Sequence, residues 1–452
     1  MKESEPMTDA HIAELLARAQ KPAEDALRLH PCYRGKLEVT PKCAINSYED
    51  FSVWYSPGVA APCRDIAAHP EQVFVHTNKA NFIAVVSDGT RVLGLGDIGP
   101  HAALPVMEGK AVLFKYLGGV DAFPICLATK DPDELIQACK WLEPTFGGIN
   151  LEDIAKPKCF YILERLRKEM TIPVWHDDQQ GTAAVMLAGL INSLQIVGKN
   201  KEKVGVTLVG AGAANVAVVR ILMAAGFAPD KIIMVDSRGI LNRGREDLKT
   251  PENAFKWRLC EATNGEQRNG GIADALRGAD VCVALAKSGP GVIKPEWVAS
   301  MAKDAIVFAC ANPVPEIWPW EAKRAGARIV ATGRSDFANQ VNNSLGFPAI
   351  FRGVIDVAAT TITDEMCIAD AEELARCAEI KGLAAEHILP TMDEWKIYPR
   401  QAAAVALKAI EQGVAKRVLT KAALIENATA LIRRAQEQTQ VLMQAGIIAP
   451  TA

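Results

Sequence analysis

Between residues 204 and 236 a β-branched run, a glycine turn, an apolar helical stretch and a second apolar run ending in an acid follow one another directly. Val204-Gly205-Val206-Thr207-Leu208-Val209 feeds Gly210-Ala211-Gly212-Ala213-Ala214. Residues 215–222 have helical composition, and Lys231-Ile232-Ile233-Met234-Val235-Asp236 reads as a strand. Strand, tight turn, helix and strand, with an acid about 20 residues after the turn, make a βαβ unit that seats a dinucleotide on a helix N-terminus. Gly210 permits the turn, and Gly212 lets backbone N–H groups approach a pyrophosphate. Gly210, Ala211, Gly212, Ala213 and Ala214 are therefore candidate cofactor contacts. Asn215 stands where the fingerprint has a third glycine, which is expected to loosen helix–strand packing. Asp236 suits a ribose diol and repels a 2′-phosphate, which favours NAD; Ser237 and Arg238 next to it suit that phosphate, which favours NADP. The choice between NAD and NADP stays open.

The rest of the chain extends this unit into an α/β protein. Strand-like runs recur near 204–209, 231–235, 280–285, 305–310 and 328–331 with helical stretches between most of them, which predicts a doubly wound parallel sheet of Rossmann type. Residues 242–270 form a polar excursion with a short helix near 255–262, and Lys287-Ser288-Gly289-Pro290-Gly291 is a loop bordering the cofactor. Upstream, residues 8–19 carry a helical stripe that 25–29 continue past Pro22. Phe82-Ile83-Ala84-Val85-Val86 and Arg91-Val92-Leu93-Gly94-Leu95 flank Asp88-Gly89 and predict a hairpin. Residues 104–117 read as helix and 123–127 as strand, and Asp131-Pro132 opens a further helix in N-cap and N1 form. The expected division is a mixed α/β substrate and metal domain over 1–180, a dinucleotide domain over 181–360 entered by an apolar helix at 181–197, and a helical region over 361–452 with helices near 402–410 and 422–443.

Two acidic clusters precede the glycine turn: Asn150-Leu151-Glu152-Asp153 and His176-Asp177-Asp178-Gln179-Gln180-Gly181-Thr182. Each follows an apolar run, Phe146-Gly147-Gly148-Ile149 and Ile172-Pro173-Val174-Trp175, so both are expected at strand C-terminal ends, where open α/β sheets bind ligands. Either alone reads equally well as helix capping. Together they gather the oxygen ligands of a hard divalent cation such as Mg²⁺ or Mn²⁺, with positions left for a substrate's oxygens.

Composition narrows the classes. A length of 452 residues with 49% hydrophobic and 6% aromatic content suits an α/β enzyme of two or three domains. A formal net charge of −3 without a basic stripe or zinc-finger spacing speaks against nucleic acid. Eleven singly scattered cysteines, Cys310 among them, read as reduced core thiols, and the N-terminus lacks an apolar signal region. No uninterrupted apolar run reaches membrane-spanning length, so a cytoplasmic protein is expected.

Three further segments complete an ordered set: Trp54-Tyr55-Ser56-Pro57-Gly58-Val59-Ala60, Arg91-Val92-Leu93-Gly94-Leu95-Gly96-Asp97 and Glu108-Gly109-Lys110. With the acidic clusters and Ala311-Asn312-Pro313, they make residues 30–360 resemble malic enzyme, in the shorter bacterial form. The resemblance implies oxidative decarboxylation of malate to pyruvate with NAD or NADP and Mg²⁺ or Mn²⁺, in a homodimer or higher homo-oligomer. It implies Tyr55 as general acid, Lys110 as general base, and Glu152, Asp153 and Asp178 as metal ligands. Arg91 would clamp a substrate carboxylate, and Asn312 with Asn342 or Asn343 would supply substrate amides. The base role calls for a lysine pKa lowered toward neutrality. His176 is expected to be a structural hydrogen-bonding residue. Two other classes are compatible with parts of the pattern. A metal-independent hydroxy-acid or amino-acid dehydrogenase leaves the three acids without a shared purpose, and a non-catalytic malate or nucleotide sensor leaves Tyr55 and Lys110 without one.

Overall fold

The computed structural model describes residues 9–450. Its first sheet has four parallel strands in the order β2-β1-β3-β4: β1 Phe82–Ser87, β2 Asp121–Cys126, β3 Gly148–Leu151 and β4 Val174–His176. All but β2 are almost wholly buried, which is why they read as continuous apolar runs rather than alternating ones. Asp131 caps the Pro132–Leu142 helix by accepting from the Asp133 and Glu134 backbone N–H groups, as the Asp-Pro pair predicts.

The hairpin at Asp88-Gly89 does not form. β1 already has a parallel neighbour on each side, so no edge is free for an antiparallel partner. Gly89 instead turns the chain at φ 68°, and the Arg91 N–H donates to the Asp153 carbonyl at 2.9 Å. A Cβ on Gly89 would lie 2.3 Å from the Gly99 backbone, so only glycine fits that turn.

The second sheet has six strands in the order β10-β9-β8-β5-β6-β7. β5 Val206–Val209, β6 Ile232–Asp236, β8 Val281–Ala284, β9 Ala305–Ala309 and β10 Ala327–Thr332 are parallel and match the expected runs. The two-residue β7, Gly239–Ile240, is antiparallel to β6 and carries no periodicity by which sequence could reveal it. The excursion contains the expected helix at Ala254–Ala262.

Between the sheets runs the Thr182–Val197 helix, entered through a π-helical turn at Asp177–Gly181. Asp177–Val197 is long and apolar enough on average to cross a membrane, although polar residues such as Gln179, Gln180, Asn192 and Ser193 interrupt it, and 72% of its apolar window is buried in this core. Phe347 and Phe351 of the Phe347–Asp356 helix meet Phe114 of the Gly99–Gly118 helix edge-on at 4.6 and 5.2 Å. Burying each such ring is worth roughly 1.5–3 kcal/mol. The C-terminal helices complete the core. Asp364–Lys381 packs on Thr182–Val197, Ile397–Glu411 on Phe347–Asp356, and Lys421–Gln444 on Gly99–Gly118.

Candidate active site

Register brings the two acidic clusters together. β3 and β4 are neighbours with Leu151 opposite His176, so Glu152-Asp153 and Asp177-Asp178 leave the sheet side by side at its C-terminal edge. One carboxylate oxygen each from Glu152, Asp153 and Asp178 lies within 4.8 Å of the others. Asp178 accepts from the Asp153 backbone N–H at 2.9 Å, and Glu152 from the Asn150 amide at 2.8 Å. Asp153 Oδ2 is buried with no hydrogen-bond partner, and Asp153 itself sits at φ 55°, a left-handed backbone rare outside glycine. Burial, then repulsion from Asp178, pushes the Asp153 carboxyl up to about 7. Burial pushes Glu152 well up too, with Asp178 and Asp177 adding to it against the pull of Lys110. Three crowded carboxylates with an orphaned oxygen fit a hard divalent cation, and the all-oxygen donor set suits Mg²⁺ or Mn²⁺.

Asp177 serves a different purpose from its neighbour. Fully buried, it accepts from Lys110 Nζ at 2.6 Å, from Asn343 Nδ2 at 2.6 Å and from Trp175 Nε1 at 3.1 Å. Lys110 also lies 3.1 Å from Glu152 and over the Phe347 ring. Burial alone would lower the lysine's pKa, but the Asp177 and Glu152 carboxylates outweigh it and the net shift is upward. A divalent cation drawing on the Glu152 carboxylate would act the other way, toward the lower value a base requires.

The remaining sequence candidates are distributed around this centre. Arg91 is exposed beside it, its Nη1 donating to the Leu93 carbonyl at 3.3 Å. Asn312 is exposed after β9, its carbonyl close against Gly94 in the loop that follows Arg91. Asn342 caps the next turn by accepting from the Ser344 N–H, whereas Asn343 is the one that reaches Asp177. His176 is buried with neither ring nitrogen hydrogen-bonded, and Asp178 is 3.6 Å from Nδ1, so the expected structural hydrogen bond is absent. Burial lowers its pKa. Tyr55 stands on an exposed segment and makes no side-chain hydrogen bond among the described residues.

The glycine turn faces the same edge. Gly210 turns at φ 102°, and a Cβ there would come within 2.6 Å of the Leu285 carbonyl after β8. Gly212 caps the Ala213–Ala224 helix. Asn215 does not loosen this unit: its buried Nδ2 donates to the Val209 and Gly210 carbonyls at 3.0 and 2.8 Å, tying helix to strand end. Asp236 is saturated. It accepts from the Arg238 N–H, from both Arg245 Nη atoms and from Lys256 Nζ at 2.7 Å, which occupies the four lone-pair sites of a carboxylate. Arg238 itself turns to Asp247 at 3.2 Å. Lys156 Nζ, three residues after the acidic pair, donates to the Ala211 carbonyl at 2.8 Å and so joins the metal-binding edge to the nucleotide turn.

Residues 34–167 match the malic enzyme N-terminal domain and residues 179–412 the malic enzyme NAD binding domain. The chain belongs to the malic enzyme family. It is similar to the bifunctional malic/malolactic enzyme of Bacillus subtilis (strain 168), 50% identical over 393 residues that span 87% of this chain and 94% of that protein. The NAD-dependent malic enzyme of Geobacillus stearothermophilus is 49% identical over 383 residues, 85% of this chain and 78% of that one. The crystal structure of Entamoeba histolytica malic enzyme superposes with a TM-score of 0.96 at 46% identity, over 99% of this chain and 93% of that chain.

Sequence reasoning passed over four residues at this malic enzyme site. Asp177 and Asp178 are identical neighbours, and only the π-helical turn decides which one faces the acids and which the lysine. Lys156 is visible as a cation three residues after the acidic pair. Arg245 and Lys256 lie in the excursion, where nothing in the local pattern ties them to Asp236.

Proposed function

We propose that this malic enzyme oxidatively decarboxylates (S)-malate to pyruvate and CO₂, with NAD or NADP accepting the C2 hydride, in a cytoplasmic homodimer or higher homo-oligomer. The observation that carries the reading is the meeting, on one sheet edge, of three cation-binding carboxylates with a buried Lys110–Asp177 pair, bridged by Lys156 to the glycine turn. Relatives named for NAD and for NADP both fall in this family, in keeping with either cofactor. The eleven free thiols fit a reducing compartment. We divide the chain into a substrate and metal unit to residue 180, a nucleotide unit to 360 and a helical region beyond.

Glu152, Asp153 and Asp178 would hold Mg²⁺ or Mn²⁺, which would supply Lewis-acid polarisation of substrate oxygens. Arg91 presents its guanidinium fork to a substrate carboxylate, and Asn312 with Asn342 fixes the other end. Lys110 takes the C2 hydroxyl proton, and Asp177, 2.6 Å from its amine, is placed to accept the lysine's own. Asn343 holds Asp177 from the nucleotide side, so the relay is complete only when both units are in place. Once CO₂ has left from C4, Tyr55 protonates C3 to release pyruvate.

Malate with NAD and with NADP, each with and without Mn²⁺, tests the reading by reduced-cofactor absorbance and pyruvate yield. Pyruvate should form in step with reduced cofactor and stop on chelation. Turnover that survives chelation, or cofactor reduction without pyruvate, would overturn it.

A further inference from the structure

The cations around the site differ in what they hold. Lys158 lies 2.5 Å from Asp88, Lys256 2.7 Å from Asp236 and Arg238 3.2 Å from Asp247. Arg91 and Lys156 hold no acid. Arg91 donates to the Leu93 carbonyl and Lys156 to the Ala211 carbonyl at 2.8 Å, and neither is paired with a carboxylate among the described residues. Arg91 has a substrate carboxylate to meet. Lys156 has no such partner in the reaction, yet its amine is held at the middle residue of the Gly210-Ala211-Gly212 turn.

That placement is specific. Lys156 belongs to the loop that carries Glu152 and Asp153, but its amine crosses to the turn between β5 and the Ala213–Ala224 helix. The helix opens on Gly212 without a side-chain cap, and a Cβ on Gly212 would meet nothing within 4 Å. Its N-terminus is thus uncapped and the approach through Gly212 is clear, as a dinucleotide pyrophosphate requires. An ammonium has three donors, and the Ala211 carbonyl uses one. Burial, then repulsion from Lys256, lowers the Lys156 pKa, and Asp236, occupied by its own cations, offsets this only in part. The amine is therefore short of negative charge beside the place where two phosphates belong. A neutral carbonyl is the weaker acceptor, since a charge-assisted bond to phosphate is about twice as strong. We propose that Lys156 exchanges the Ala211 carbonyl for the pyrophosphate of NAD or NADP, so that the substrate unit supplies one clamp on the nucleotide and the helix N-terminus the other. The pyrophosphate is the target rather than a 2′-phosphate because Ala211 lies inside the turn, whereas the ribose end of the pocket is already furnished with Arg245 and Lys256.

The proposal rests on dinucleotide binding at the glycine turn, and calorimetric titration without malate or metal tests it. NAD, NADP and ADP are each titrated into the wild-type chain, Lys156→Met and Lys156→Arg. All three probes carry a pyrophosphate, so Lys156→Met should weaken each by about tenfold, the worth of one charge-assisted bond. Lys156→Arg keeps the cation and should stay within about threefold of wild type. A loss confined to NADP would assign the amine to the 2′-phosphate and overturn the proposal. So would Lys156→Met affinities within about twofold of wild type for all three probes, the result expected of a lysine that only ties the two units together. Urea unfolding separates these roles further: a tie alone lowers stability and leaves affinity unchanged, whereas the clamp lowers affinity in a chain that stays folded. A Lys156→Arg chain as weak as Lys156→Met would refute the charge argument. A wild-type chain that binds none of the probes would instead overturn the nucleotide reading itself.

Discussion

Lys256→Gln should shift cofactor preference toward NAD. In the folded chain Asp236 has no lone pair left for a ribose hydroxyl, and its charge is offset by Arg245 at 3.2 Å and Lys256 at 2.7 Å. The acid that argued for NAD is thus masked by two cations. Removing Lys256 frees one acceptor for the diol and takes a positive charge from beside the 2′ position, and both effects act in the same direction. A phosphate monoester carries about −1.5 to −2 at neutral pH. A unit pair at about 4 Å is worth about 1 kcal/mol even with water-like screening, so the lost attraction is about 1.5 kcal/mol. That is roughly tenfold in the ratio of kcat/KM for NADP to that for NAD. The ratio is measured with both cofactors at fixed malate and Mn²⁺. Arg245→Gln should act in the same sense, and Arg238→Ala less, because Arg238 is already turned to Asp247. A ratio within about twofold of wild type for both Lys256→Gln and Arg245→Gln would show that the adenosine ribose does not meet this cluster.

Asp178→Ala should weaken Mn²⁺ binding by at least about a hundredfold in calorimetric titration; near-native affinity in a folded variant would remove Asp178 from the ligand set. With the native carboxylates, Mn²⁺ at about 100 times its Kd should add about 2.7 kcal/mol to stability, read as a rise in Tm that chelator reverses. Asn215→Ala should cost about 1–3 kcal/mol in urea unfolding, because the Gly210 carbonyl loses its side-chain donor and the Val209 carbonyl keeps only the Leu285 N–H. Asn215→Gly, which restores the fingerprint glycine, should be no more stable than Asn215→Ala; a variant as stable as wild type would refute the tie. Burial pushes the Asp370 carboxyl well up, helped by Glu373 against its bond from Gln401. Its folded pKa thus exceeds its unfolded one, the folded chain binds the extra proton, and stability should fall as pH rises from about 4, by up to about 1.4 kcal/mol per unit. Asp370→Asn should flatten that slope in urea titrations, and an unchanged slope would assign the pH dependence elsewhere.

What could be read from the chain alone was local or periodic. The parallel strands β5, β6, β8, β9 and β10 announce themselves as apolar runs, and the two acidic exits follow from where such runs end. Long-range pairing was hidden. Asp88-Gly89 has hairpin chemistry, yet β1 takes its partners from Asp121–Cys126 and Gly148–Leu151, and no local pattern reports a strand already paired on both sides. Asn215 looked like a missing glycine because its two hydrogen bonds exist only once strand and helix meet. Asp177 and Asp178 differ only through the turn that aims them, and the pKa of Lys110 depends on acids 42 and 67 positions away in the chain.

The π-helical turn at Asp177–Gly181 also bears on how such an enzyme can be recombined. It is where the substrate unit hands the chain to the nucleotide unit, and so it looks like the natural splice point for a chimaera. Yet Asp177 is gripped at once by Lys110 from upstream and Asn343 from far downstream, and a Cβ on Gly181 would strike the Asp177 carboxylate at 2.0 Å. Grafting a foreign nucleotide unit at this junction therefore transplants half of a proton relay without its counterpart. Cofactor exchange between relatives is better sought by replacing the polar excursion after β7 together with Asp236, which its Arg245 and Lys256 hold, while keeping the Phe160–Phe255 contact that ties it to the upstream unit.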